Sequence, residues 1–306
     1  MNPAVTSFAA TEAILESAGL STEALDATAD LLLEVADVEI LPRFRQLQPS
    51  DVRTKQSAID LVTVADEAAE RALTARLRAM FPGAIVLGEE AAASDPQLLD
   101  SLHGQALVIL LDPVDGTRNF ATGLGLFGVM AAFVLGGQVL ASVICDPVMR
   151  DWAMAARGKG AWLRDATGGR RPLRASAQRP VGDMEGCGLW LHLAEPQRSR
   201  TAVGLTKFAS NAAYRCAAHE YRLIAGGHYD FSLYHKIAPW DHAPGVLLHQ
   251  EAGGYCAHLD GAGYDPRRSS GGLLCAADEA SWLAIREALQ LAPDVQPAAL
   301  AMGNPT

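Results

Sequence analysis

From residue 25 to residue 47 apolar side chains recur at helical spacing through Leu31, Leu32, Val35, Val38, Ile40 and Leu41, with acidic residues between them, and predict an amphipathic helix. A second helix is predicted over 65–80, rich in Ala, Leu, Glu and Arg and ended by Phe81-Pro82-Gly83. Residues 84–87 then form a short strand running into Gly88-Glu89-Glu90. The wholly apolar residues 106–111 predict a buried strand, which stops abruptly in Asp112-Pro113-Val114-Asp115-Gly116-Thr117. Two buried strands thus hand over directly to acidic residues. Residues 124–145 carry no charge and are long enough for a membrane crossing. Gly136-Gly137-Gln138 divides them into runs at 127–135 and 139–145, so the prediction is a buried β-hairpin and no membrane span.

Further on, residues 152–163 read as two short strands joined at Arg157-Gly158-Lys159-Gly160, and the basic segment 167–180 as a loop. A boundary there separates residues 1–175 from residues 176–306. The second half alternates strand-like and helix-like pieces, with helices at 217–225 and 243–252, a strand at 272–276 and a loose, proline-bearing tail from about 292. The pattern predicts an α/β chain of two subdomains. Its 306 residues and 49% hydrophobic content suit a packed globular protein. A formal charge of −10 argues against a broad electrostatic grip on nucleic acid or anionic lipid. The five cysteines lack CxxC pairing, and the first thirty residues hold no Lys or Arg, so neither a zinc site nor a secretory signal is predicted. A reducing cytoplasm fits this usage.

Asp112 and Asp115 stand three residues apart at the end of a dry strand. Two carboxylates so placed repel each other and raise each other's pKa unless a cation lies between them. A hard divalent ion such as Mg2+ prefers such oxygen ligands and completes its shell with water and phosphate. Taken alone, Asp-Pro and Asp-Gly serve equally well as turn dipeptides.

The balance shifts with the whole string LDPVDGTRNF, Gly88-Glu89-Glu90 upstream, Trp240-Asp241 downstream, and Asp60-Leu61-Val62-Thr63-Val64-Ala65-Asp66. In order and approximate spacing these four motifs resemble the inositol monophosphatase family, magnesium-dependent and lithium-sensitive phosphatases, from about residue 25 to residue 277. The resemblance implies a layered αβαβα sandwich of two subdomains, with the site in the cleft between them, and a homodimer. It implies that Glu89, Asp112 and the Val114 carbonyl hold one Mg2+, that Asp112, Asp115 and Asp241 hold a second, and that a third binds weakly near Glu89. By the same carry-over the Thr117 hydroxyl, hydrogen-bonded to Asp66, accepts the proton of the attacking water beside Glu89. Gly116 and Thr117 offer backbone N–H groups to the phosphate. A haloacid-dehalogenase-type DxDGT is excluded, since the nucleophile's position is Pro113 and no aspartyl-phosphate can form there.

Structural roles compete with several of these. Asp66 could be the N-cap of the helix over 67–80, and Asp241 could cap the helix over 243–252, with Pro244 in its first turn. His242 and His249 could share a helical face but read as solvated or packed rather than ligating, and Arg157, Lys159, Arg170 and Arg171 as a solvated loop. Where inositol-phosphate-specific members carry a Glu about seven residues before the Trp-Asp aspartate, this chain has Tyr234, a substrate contact or a packed ring. The expected activity is therefore Mg2+-dependent hydrolysis of a small phosphorylated alcohol or sugar, with histidinol phosphate or a nucleoside 3′,5′-bisphosphate as alternative substrates. A non-enzymatic regulatory protein reusing the fold is the alternative from another class.

Overall fold

The uncharged run between 124 and 145 folds as the central hairpin of a seven-stranded sheet. The structure, a computed structural model, describes residues 8–55 and 60–291. The expected tail from 292 lies outside the described residues. The chain opens with α1 (Phe8–Ser17) and α2 (Thr22–Val35). The helix predicted over 25–47 stops early: beyond Val35 it loosens into a π turn (Ala36–Ile40) and a 3-10 turn (Leu41–Arg43). Pro42 is the cause, because it lacks an N–H and its ring crowds the carbonyl four residues back.

Strands β1 (Val52–Thr54) and β2 (Leu61–Thr63) pair antiparallel ahead of α3 (Val64–Met80). Then follow β3 (Ile85–Gly88), α4 (Glu89–Ser94), β4 (Val108–Asp115), α5 (Thr117–Ala121), β5 (Gly128–Leu135), β6 (Gln138–Asp146), β7 (Asp151–Ala156), β8 (Gly160–Arg164) and β9 (Arg170–Pro172). Strands β3 to β9 lie side by side in chain order, with β3 and β4 parallel and every later pair antiparallel. Strand β9 falls in the segment read as a loop; its charged, exposed residues pair only at the sheet edge, where the hydrophobic pattern gives no signal.

The second half comprises β10 (Glu185–Gly188), α6 (Gln197–Leu205), β11 (Ser210–Ala212), α7 (Ala217–Ala225), β12 (Phe231–Tyr234), α8 (Pro239–Glu251), β13 (Tyr255–His258), β14 (Leu273–Ala276) and α9 (Glu279–Ala288). Its five-stranded sheet runs β11-β10-β12-β14-β13. The layers follow from alternation along β4: Ile109 and Leu111 face a core shared with Leu32 of α2 and Leu73 of α3, while Val108 and Leu110 face one shared with Tyr221 of α7 and Val246 of α8. With helices over both faces, every residue of β4 is buried, which is why the strand is apolar throughout its length before Asp112. Leu273 and Cys275 of the second sheet close the α7–α8 layer from the other side, and Trp282 and Ile285 of α9 cover that sheet's far face against Phe231 and Leu274. The result is the expected αβαβα sandwich.

The middle layer depends on one close approach. A Cβ on Gly245 of α8 would overlap the ring of Tyr221, which is fully buried and donates or accepts a hydrogen bond at His242 Nδ1, 3.1 Å away. In an exposed helix Gly→Ala adds about 1 kcal/mol of stability. Here Gly245→Ala is expected to destabilise by about 1–3 kcal/mol through overpacking, seen as a lower urea midpoint. A raised midpoint would show that the ring yields.

Candidate metal centre

The parallel register of β3 and β4 sets Gly88 opposite Leu111, so Glu89 and Asp112 follow side by side at the same end of the two strands. Pairing with β5 shifts between Asp112 and Asp115, and Asp112 Oδ1 accepts the Val114 N–H at 3.1 Å across the turn that Pro113 stiffens. Asp241 arrives from the first turn of α8. Helix α8 begins at Pro239, earlier than expected, so Asp241 is its third residue and no cap: the N-cap is Ala238, without a side-chain bond. Pro244 consequently lies inside the helix, beyond its first turn. One carboxylate oxygen each from Glu89, Asp112 and Asp241 lie within 4.8 Å of one another. Val114, Asp115, Gly116 and Thr117 line the same cavity of about 150 Å³.

Asp115 stands apart from that trio. Its Oδ2 accepts the Ala218 N–H at 2.6 Å and the Cys216 S–H at 3.0 Å, both from the start of α7. Gly116 takes a left-handed conformation, φ 85°, before α5, and a Cβ there would stand 2.9 Å from the Leu126 carbonyl oxygen. Thr117, the first residue of α5, donates its hydroxyl to Asp66 Oδ1 at 3.1 Å and to the Val114 carbonyl at 3.0 Å. Asp66 is the third residue of α3, where its Oδ2 accepts the N–H of Thr63 at 2.9 Å; the N-cap is Thr63, three residues before Asp66, so the capping role weighed for Asp66 is that of the third-position partner in a capping box. Its two oxygens thus do different jobs, one in the helix start and one at the site.

Cations at the rim escaped the motif reading. Lys55 Nζ lies 2.7 Å from Glu89 Oε1 and 2.6 Å from Glu90 Oε1, and Lys236 lies 3.5 Å from Asp60. Neither falls in a charge run or a periodic face; the one available signal was position, Lys55 just ahead of the Asp60–Asp66 segment and Lys236 just ahead of Trp240-Asp241. A second cavity of about 180 Å³ adjoins the first, sharing Asp115, Arg215, Lys236 and Asp241. Tyr234 lines it, its ring stacked on Tyr221 at 5.2 Å and tilted against His242 at 4.6 Å. Glu220 also faces this cavity, its Oε1 fixed by the N–H groups of Tyr214 and Arg215 at 3.1 Å each. Of the two readings open for the histidine pair, solvated or packed, the structure shows packing: His242 and His249 are buried, His242 against the Lys236 carbonyl and His249 against that of Ala276. Arg157 donates to the Val139 carbonyl and Arg170 pairs with Asp26, away from the cavities.

Burial, then the charges of Glu89 and Asp115, raise the Asp112 carboxyl well above its ordinary range, and burial with the charge of Glu89 does the same to Asp241. Burial lifts Asp66 and Asp115 to about 6, against the hydrogen bonds from Thr63 and Cys216. Unfolded carboxyls titrate near 4, so between about pH 4 and pH 6 the folded chain binds more protons than the unfolded one and stability falls as pH rises. The metal-free protein is therefore expected to melt at lower temperature near pH 8 than near pH 5. Because a cation replaces those protons, millimolar Mg2+ should raise the melting temperature more at the higher pH. Equal Mg2+ shifts at both would contradict this.

The inositol monophosphatase family profile matches residues 21–292. The Nus factor SuhB of Pseudomonas aeruginosa is 32% identical over 229 residues, 72% of this chain and 80% of that protein. An inositol-1-monophosphatase of Mesorhizobium japonicum is 34% identical over 206 residues, 66% of this chain and 73% of that one. Among solved structures, a Thermotoga maritima IMPase superposes with a TM-score of 0.72 at 22% identity, covering 88% of this chain and 99% of its own, and a staphylococcal IMPase in complex with products with 0.73 at 18%, covering 91% and 100%. These two likenesses bear on the fold. With the profile spanning nearly the whole described chain, the protein belongs to the inositol monophosphatase family and with it to the phosphomonoesterases.

Proposed function

We propose that this chain is a Mg2+-dependent phosphomonoesterase that hydrolyses a small phosphorylated alcohol or sugar by direct attack of water. The observation that carries the reading is the convergence of Glu89, Asp112 and Asp241 within 4.8 Å beside the Thr117–Asp66 hydrogen bond. The donor set is all oxygen and buried carboxylates crowd it, which fits a hard divalent cation. Glu89, Asp112 and the Val114 carbonyl would hold one Mg2+, and Asp112, Asp115 and Asp241 another, with a loosely held third near Glu89. When bound, Mg2+ neutralises phosphate oxygens, acidifies water and stabilises the leaving alkoxide.

The remaining steps belong to the chain's own residues. Asp66 takes the Thr117 proton into its hydrogen bond, which leaves the Thr117 oxygen free to accept a hydrogen bond from the attacking water and pass its proton toward the Asp66 carboxylate. Gly116 and the start of α5 offer N–H groups to the phosphate. Pro113 offers no nucleophile, so the water itself must attack. The alcohol would lie in the adjoining cavity, where Tyr234 stands in place of an acidic residue; this favours an alcohol other than inositol, histidinol phosphate or a nucleoside 3′,5′-bisphosphate among them. A cytoplasmic homodimer completes the reading.

Asp112→Asn is expected to abolish Mg2+-dependent phosphate release across a panel of phosphomonoesters, and unchanged activity would overturn the assignment. Thr117→Ala should lower kcat by about 10²- to 10⁴-fold, the usual range for a lost proton relay. Lithium should inhibit at millimolar order by displacing the loosely held ion; insensitivity would remove that ion from the scheme.

A further inference from the structure

Glu70 lines neither of these two cavities, yet it is hydrogen-bonded to the backbone that follows Glu89. It lies four residues after Asp66, on the same face of α3, and is 7% exposed. Its Oε2 accepts the Glu90 N–H at 2.8 Å and its Oε1 the Ala91 N–H at 2.8 Å. These are the first turn of α4, the element that carries Glu89, and its N-cap Gly88 has no side chain to satisfy them. A Cβ on Gly88 would overlap the Glu70 carboxylate, so the bare backbone at Gly88 is what lets that carboxylate close. One face of α3 therefore reaches both halves of the site: Asp66 holds Thr117, and Glu70 holds the backbone behind Glu89 and Glu90.

We propose that Glu70 is a positioning residue for the metal centre: by clamping the Glu90 and Ala91 N–H groups it fixes the backbone from which Glu89 projects toward Asp112 and Asp241, and so sets Mg2+ affinity without touching ion or substrate. The inference rests on the reading of Glu89 as a ligand. Groups that orient ligands from behind typically change metal affinity by about 10- to 100-fold when replaced.

The test is calorimetric titration of the metal-stripped full chain with Mg2+, which needs no substrate, alongside thermal unfolding and the Mg2+ dependence of phosphate release. Glu70→Gln keeps the shape and replaces one acceptor by a donor, whereas Glu70→Asp keeps the charge and shortens the reach, and serves where the first variant fails to fold. Both are expected to weaken Mg2+ binding by about tenfold or more, with kcat at saturating Mg2+ within about threefold of the parent. A folded Glu70→Gln chain that binds Mg2+ within about twofold of the parent would overturn the proposal. So would parental affinity in Glu70→Asp, since charge alone would then account for the effect. Absence of Mg2+ binding in the parent chain would instead remove the metal reading itself, a result distinct from both.

Discussion

Carboxylates forced together where a dry strand ends are the constraint on which the molecule turns. Two unit charges about 4 Å apart interact by about 4 kcal/mol at the effective dielectric near a protein surface, and three oxygens here lie within 4.8 Å. Among the described residues the cations meet this cluster at one side: Lys55 pairs with Glu89 and with Glu90, and Lys236 faces Asp60, while no ion pair reaches Asp112. Asp112, at the bottom and 2% exposed, has an N–H of its own turn as hydrogen-bond donor. Such a group keeps a proton or takes a metal ion. In the proposed reading the second course leaves the carboxylates ionised at neutral pH, so the same repulsion that burdens the fold would favour a bound cation.

That arrangement costs stability, and the architecture explains why it persists. The parallel pair β3 and β4 places Glu89, the first residue of α4, beside the acidic end of β4, the position where open α/β sheets bind their ligands. Helices of the middle layer then close the site from the other half of the chain. The start of α7 fixes Asp115 through Ala218 and Cys216, and the first turn of α8 delivers Asp241. Because α7 and α8 are also the hydrophobic filling between the two sheets, the acidic cluster cannot spread apart without opening that core.

Much of this was legible before any coordinates, and unevenly so. Helices with a long apolar stripe and strands buried on both faces announce themselves, as over 65–80 and 106–111, since burial constrains many consecutive residues at once. Carboxylates at the end of an apolar strand are energetically anomalous, but it is the resemblance of four spaced motifs to a known family that separates them from ordinary turn residues. Short strands such as β10 and β11, of four and three residues, carry too few positions for a period and are made by pairing with distant neighbours. Glu70 and Lys55 were hidden for a related reason: each reads as an ordinary charged residue, and only the tertiary approach of α3 or of β1's end to α4 gives it a partner. Asp66 lay between these cases, its place visible in the motif but its division between Thr63 and Thr117 visible only in space.

In the proposed reading, phosphate chemistry and choice of alcohol fall to different parts of the fold. The acids sit on β3's exit, β4 and the first turn of α8, whereas the adjoining cavity is surfaced by α7 and β12, with Glu220, Tyr234 and His235. Burial pushes His242 and His235 down to about 4, so both are uncharged at neutral pH, and among the described residues His235 has no hydrogen-bond partner at either ring nitrogen. Charge on that wall therefore comes from Arg215, Lys236 and a Glu220 carboxyl raised by burial to about 7. A change at Tyr234 alters what the wall presents while leaving β3 and β4 untouched, except through the stack it shares with Tyr221 and His242. On that reading, selectivity can drift along one face of the cleft while the carboxylates opposite are held in place by the sheet register and by α3.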